Sequence, residues 1–337
     1  MPLPFVPGIE VSGHVRALGP GVEGLRVGQP VAALTIVDGG GYAEVAVTAA
    51  DLVAPLDGLA LELDVAAALP SNSTTAFLVL DRVARIEPGE SVLVHAAAGG
   101  VGSQLGQAAR LLGAGRVVGT VGGPAKVEAA RAFGYDEVVL RAAASGWFDV
   151  VVDMVGGATR RDSLDLLAPM GRLVVMGNAS GAEDVGMPAN ELWLTNKTVS
   201  GFNLAAFAAT HPEAVGQALR RAVNAAAGGG LRVQIDRLPL TQAAEAHRRI
   251  ESGGHHRQTG PESAALSSTR RGQTGRDSAR EPSCAGPRLR EGSRLCEAAP
   301  RPRQAGRATR GAVTRGAATR GAGASPAARA RGRGGPA

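Results

Sequence analysis

Pro88-Gly89-Glu90-Ser91-Val92-Leu93-Val94-His95-Ala96-Ala97-Ala98-Gly99-Gly100-Val101-Gly102, continued by Ser103-Gln104-Leu105-Gly106-Gln107-Ala108-Ala109-Arg110, reads as a strand, a glycine-rich turn and a helix in that order. Gly99 lets backbone approach a pyrophosphate closely and Gly102 permits tight packing of helix on strand. The first turn of the helix offers free amides and a positive dipole end to phosphate oxygens. Ala97 stands where the usual GxGxxG fingerprint has its first glycine. A glycine-rich turn can serve packing alone, but a second apolar strand begins at Val117, shortly after the helix, and that context favours a dinucleotide site built on Ala98, Gly99, Gly100, Val101 and Gly102.

The end of the second strand decides which dinucleotide. An NAD site places an Asp or Glu there to accept from the ribose 2′-hydroxyl. This chain has Thr120-Val121-Gly122-Gly123-Pro124-Ala125-Lys126, with no acid. Lys126, helped by Arg141, can pair with a 2′-phosphate, so NADPH is the expected cofactor; the plainer reading of Lys126 is a solvated residue at a helix start.

Working outward, apolar strands are expected over 91–96, 116–120, 137–140, 148–153, 172–177 and 198–202. Helices are expected over 101–112, 125–133, 159–167 and 212–227. This alternation predicts an α/β fold with a doubly wound parallel sheet. Before it, residues 1–70 are rich in Gly, Pro and Val, with strand-like runs over 10–17, 31–35 and 42–47. After it come an expected strand over 231–237 and an amphipathic helix over 241–251.

The formal net charge of +6 misleads. Residues 258–337 hold 16 of the 36 basic residues and 5 of the 30 acidic ones, so the remainder carries 20 basic against 25 acidic side chains. That segment has no Ile, Phe, Tyr, Trp or Met and repeats Thr-Arg-Gly-Ala from Thr309, Thr314 and Thr319. It cannot bury a core and is expected to be disordered. No aromatic interleaves its arginines, which argues against nucleic acid as the partner. Both cysteines, Cys284 and Cys296, lie in it. The start lacks the basic region and apolar run of a signal peptide, and no apolar stretch reaches the roughly 18 residues of a membrane span. A cytoplasmic protein without a membrane partner is expected.

Pro7-Gly8-Ile9-Glu10-Val11-Ser12-Gly13, Gly39-Gly40-Gly41-Tyr42-Ala43-Glu44, the Ala97 to Gly102 turn and Asp149-Val150-Val151-Val152-Asp153-Met154-Val155-Gly156-Gly157 together resemble the zinc-independent, quinone oxidoreductase-like branch of the medium-chain dehydrogenase/reductase family. The resemblance runs from Met1 to about Arg257. It implies a GroES-like β-barrel substrate domain over 1–73, incomplete at its N-terminus, then a Rossmann domain over 74–210, a return to the substrate domain over 211–257 and the tail from 258. A final strand of the kind relatives carry is expected to be missing, because the sequence switches to Arg, Ala, Gly and Pro as an out-of-frame reading of a GC-rich gene would.

Where zinc alcohol dehydrogenases have Gly-His-Glu, this chain has Gly8-Ile9-Glu10, and the family's cysteine cluster is absent, so no metal is expected. His14 and His95 read as core-edge or strand-end residues, and His255-His256 as a polar turn. Carried over residue by residue, the resemblance places Thr75 near the nicotinamide, Gly99, Gly100 and Val101 against the pyrophosphate, and Lys126 near the 2′-phosphate. Thr120 closes the second strand, and Arg141 stands where many relatives have a Tyr. The backbone of Met176-Gly177 and Phe202-Asn203-Leu204 would border the ring. The same resemblance implies a homodimer, with residues 191–204 as the contact edge.

The expected activity is transfer of hydride from NADPH to a quinone or other α,β-unsaturated carbonyl without zinc. No acid or base stands out, so the proton would come from solvent, with Thr75 or backbone amides polarising the acceptor oxygen. The rival reading is a catalytically inactive NADPH-binding module, a truncated reductase with a nucleic-acid-binding tail.

Overall fold

The computed structural model describes residues 4–251 and the backbone of 258–262. The expected tail beyond Glu262, its cysteines and repeats, and His255-His256 lie outside the described residues. In chain order the strands are β1 (Glu10–His14), β2 (Pro30–Leu34), β3 (Val53–Pro55), β4 (Ser91–Val94), β5 (Arg116–Val121), β6 (Glu137–Leu140), β7 (Phe148–Asp153), β8 (Leu167–Val175), β9 (Thr198–Gly201), β10 (Ile235–Pro239) and β11 (Gln258–Glu262). The helices are α1 (Leu63–Ala67), α2 (Asn72–Phe77), α3 (Gly100–Leu111), α4 (Val127–Arg131), α5 (Ala158–Asp165), α6 (Ala189–Thr195), α7 (Leu204–Thr210), α8 (Pro212–Ala227) and α9 (Ala243–Glu251).

Six parallel strands form the central sheet in the order β6-β5-β4-β7-β8-β9. The chain winds out from β4 in both directions, the doubly wound arrangement that the strand–helix rhythm predicts. Strands such as Val92-Leu93-Val94 and Val150-Val151-Val152 are buried on both faces, so they read as continuous apolar runs rather than alternations. Val92, Val94, Val117, Val150, Val152 and Val174 face the core shared with α3 and α2. Their neighbours Leu93, Val118, Val151 and Leu173 pack on the other face with Phe148 and Leu164.

The first part of the chain forms an antiparallel sheet β1-β2-β3, registered Glu10 to Leu34 and Val31 to Pro55. The expected strand over 42–47 does not form. Its approach spends its amides on the opening segment instead: Gly40 N donates to Val6 O at 2.8 Å, Gly41 N to Gly8 O at 3.1 Å and Tyr42 N to Pro7 O at 2.9 Å. The Pro7-Gly8 and Gly41-Tyr42 motifs are therefore one contact, and a Cβ on Gly8 would lie 2.5 Å from Tyr42 N.

Two further expectations need correction. The strand expected from 231 starts only at Ile235, because the backbone of Arg232 is taken by side chains: its amide donates to Gln107 Oε1 at 2.8 Å, and its carbonyl accepts from Gln107 Nε2 at 2.9 Å and Gln104 Nε2 at 3.0 Å. The closing strand expected to be missing is present as β11, parallel to β10 with Ile235 opposite Gln258. Among the described residues, no helix is long and apolar enough to cross a membrane.

Candidate functional site

A cleft of about 460 Å³ opens at the carboxyl ends of β4 and β5, where open α/β sheets bind ligands. β4 delivers the chain to Ala96, held at φ 54°, and the turn closes on Gly99, the residue before α3. Ala98, Gly99 and Gly100 line the cleft, and α3 is long enough at 12 residues to present a real dipole end to it. Gly102 supports the turn from behind. A Cβ there would stand 2.2 Å from Ala96 O, so only glycine lets α3 start this close to β4. Ala97 is accommodated at the fingerprint's first position because β5 carries Gly119, whose added Cβ would lie 2.6 Å from the Ala97 methyl.

Lys126, in the turn after β5, and Arg141, after β6, both line the cleft. A Cβ added to Gly122 would come 3.7 Å from the Arg141 guanidinium, and Arg141 Nε is buried with no hydrogen-bond partner among the described residues. A cation beside a glycine-rich wall, with a donor unspent, is suited to an anion.

The other residues singled out from the sequence take different places. Val101 packs against the core, and Gly102 is likewise behind the cleft wall. Thr120 is fully buried and its hydroxyl pairs with His95 Nδ1 at 2.8 Å. Thr75 is 4 % exposed inside α2, away from the cleft lining. Leu204 is buried with Leu34 and Leu78, while the ring of Phe202 contributes to a second cleft of about 370 Å³ with Arg82, Phe207 and His211. Gly177 lies past the end of β8, its carbonyl accepting from Arg160 Nη2 at 2.6 Å.

Glu10, Tyr42, Gln104, Val233 and Ile250 also line the main cleft. The first β-sheet and the returning chain thus share its walls. Glu10 Oε2 accepts from Ser71 N at 2.8 Å. Tyr42 Oη lies 3.2 Å from His247 Nε2 of α9, and burial, then the Glu10 charge, raise the Tyr42 pKa. This hydroxyl–imidazole pair had no sequence signal, since its members are far apart in the chain. Gln104 and Gln107 carry no such signal either: α3 is buried all round from Gly102 to Ala109, so no face of the helix singles them out.

His95 sits 2 % exposed between Thr120 and Ser163, with Nε2 3.0 Å from Ser163 Oγ. Ser163 gives its own proton to Thr159 O at 2.6 Å, so it accepts from His95 Nε2–H, and Nδ1 accepts from Thr120. Burial lowers the His95 pKa to about 4, opposed by Asp153 and aided by Arg141. Among the described residues no group of three or more His, Cys, Asp or Glu side chains is arranged to hold a metal.

Two family models match the chain: an alcohol dehydrogenase GroES-like domain over residues 1–58 and a zinc-binding dehydrogenase over residues 100–224. A quinone oxidoreductase from Pseudomonas aeruginosa is 34 % identical over 270 residues, covering 74 % of this chain and 80 % of the relative. A highly reducing polyketide synthase, phiA, from a fungal species is 30 % identical over 266 residues; the match takes in 74 % of this chain but 10 % of that much longer protein. The crystal structure of Escherichia coli quinone oxidoreductase complexed with NADPH superposes with a TM-score of 0.69 at 30 % identity, covering 77 % of this chain and 82 % of that one. With a GroES-like first part, a doubly wound parallel sheet and a glycine turn at its carboxyl edge, the chain belongs to the medium-chain dehydrogenase/reductase family, in its quinone oxidoreductase-like branch.

Proposed function

We propose that the protein is an NADPH-dependent reductase acting without zinc on a quinone or another α,β-unsaturated carbonyl. The observation that carries this reading is the pairing of the glycine turn before α3 with Lys126 and the unspent Arg141 Nε in one cleft. The amides of Gly99 and Gly100 would take the pyrophosphate, and the two cations the 2′-phosphate. When bound, the reduced nicotinamide supplies the hydride.

The protein's own part is to orient and to exclude water. Glu10 on β1, Tyr42 in the loop after β2 and Ile250 on α9 also wall the cleft that the glycine turn lines. A zinc ion does not fit this set: Ile9 is apolar, and the carboxylate of Glu10 already accepts from Ser71 N. Relatives named as a quinone oxidoreductase and as a highly reducing polyketide synthase support a reductive direction.

The test is oxidation of NADPH and of NADH by the purified protein with a panel of quinones and enones, with and without a chelator. Chelator-resistant turnover that prefers NADPH is expected. Tight NADPH binding with no turnover of any acceptor would instead establish the inactive binding module.

A further inference from the structure

The geometry points to Arg160 as a positioning residue for the ring half of the cofactor, an inference that rests on the NADPH reading of the cleft. Arg160 lies in α5 with its side chain 9 % exposed. Its Nε donates to Asp153 Oδ2 at 3.0 Å, Nη2 to Gly177 O at 2.6 Å, and Nη1 to Asp184 Oδ1 at 2.7 Å. One guanidinium therefore joins three segments: the last residue of β7, the chain just past β8, and the loop that follows.

The inner partner has nowhere else to turn. Asp153 is fully buried, and its Oδ1 is occupied by the amides of Val155 at 2.7 Å and Gly156 at 3.1 Å. The turn it caps passes through Gly156 and Gly157 at φ 83° and 57°, so its path depends on being held. Backbone bonds already join this turn to the chain after β8, with Met176 N to Asp153 O at 2.9 Å and Ala179 N to Met154 O at 2.9 Å. Arg160 adds the charged closure, setting where Gly177 stands relative to Asp153. The planar fork of Arg reaches three acceptors at fixed angles, which the point charge of Lys does not. Arg161, one residue on, pairs with Glu191 at the surface and shares none of these contacts.

A dinucleotide bound to a doubly wound sheet lies across the crevice where the strand order reverses, one half over each side of the central strand. Lys126 and Arg141 follow β5 and β6 on one side of β4, whereas Asp153 and Gly177 follow β7 and β8 on the other. Loss of Arg160 should therefore disturb the ring half and leave the phosphate half intact.

The experiment measures equilibrium binding of NADPH and of 2′,5′-ADP, which lacks the nicotinamide, to the full chain and to the Arg160→Lys and Arg160→Met variants, with thermal unfolding of each. Arg160→Lys keeps a cation beside Asp153 and carries the test if the Met variant does not fold. Affinity for NADPH is expected to fall ~10-fold or more, as for loss of a charged hydrogen bond, with 2′,5′-ADP held within about two-fold. Equal weakening of both ligands, or unchanged NADPH affinity in a folded variant, overturns the positioning role. If the unaltered protein binds neither ligand, the cofactor reading itself has failed and takes this inference with it.

Discussion

His95 shows how much a single buried side chain can determine. The unfolded chain would titrate it near 6.5, while the native pocket holds it down to about 4 because burial disfavours the cation. Between those values the unfolded state binds a proton that the native state does not, so stability is full above pH 6.5 and falls as the pH drops towards 4. The loss attributable to His95 is about 3 kcal/mol. Urea unfolding from pH 7 to pH 4 should show a loss steeper by that order in the unaltered protein than in a His95→Gln variant; parallel curves would remove His95 as the cause. At the same scale, Arg141→Ala and Lys126→Ala should each reduce the preference for NADPH over NADH by ~10-fold, read from the ratio of kcat/KM values. A fall shared equally by the two cofactors would place these cations outside the 2′-phosphate contact. The place of Lys126 in the cleft lining is legible from its position after the second strand. Thr120 misleads for the same reason: its number along the strand indicates the cleft, but strand alternation turns its hydroxyl inward to His95.

At the scale of elements, the junction of β4, α3 and β5 turns on which glycines face backbone and which face movable side chains. Gly102→Ala drives a methyl to 2.2 Å from Ala96 O, and neither group can yield without lifting α3. It should cost about 3 kcal/mol and abolish nucleotide binding, whereas Gly100→Ala meets only the Asn72 side-chain amide, at 2.7 Å, which can rotate away, and should cost under ~1 kcal/mol. Denaturant titration of the two variants checks the ordering, and similar losses would contradict it. The role of Gly102 follows from local spacing, so the sequence reveals it. The tolerance of Ala97 depends on Gly119, a neighbour across the sheet that no local pattern indicates. The run over 42–47 misleads in the opposite sense. It alternates like a strand, yet the preceding amides bind Val6, Pro7 and Gly8, a long-range pairing that propensity cannot register.

At the scale of the molecule, the parallel sheet and the early antiparallel sheet are joined by the returning chain. Gln104 and Gln107 clamp Arg232, and α8 approaches so closely that a Cβ on Gly216 would lie 1.9 Å from Asp51 O. The far side of the sheet ends in β9, an edge strand of only four residues. Native proteins commonly guard such an edge with an exposed lysine. Here the adjacent Lys197 turns its ammonium inward onto Leu164 O at 2.5 Å, so its charge does not protect the edge. Beside it, Trp193 is 75 % exposed and Leu194 69 % exposed on α6, and Met170, bonded through its amide to Asn196 O, is 72 % exposed. A short edge strand that lacks an exposed lysine and is flanked by large apolar side chains suits packing against the same surface of a second copy about a two-fold axis. Sedimentation velocity of the full chain at micromolar concentration should therefore show a dimer, and Trp193→Glu with Leu194→Glu should convert it to a monomer of unchanged thermal stability per chain. A monomeric unaltered protein, or a double variant that stays dimeric, would show that this edge is not where copies meet.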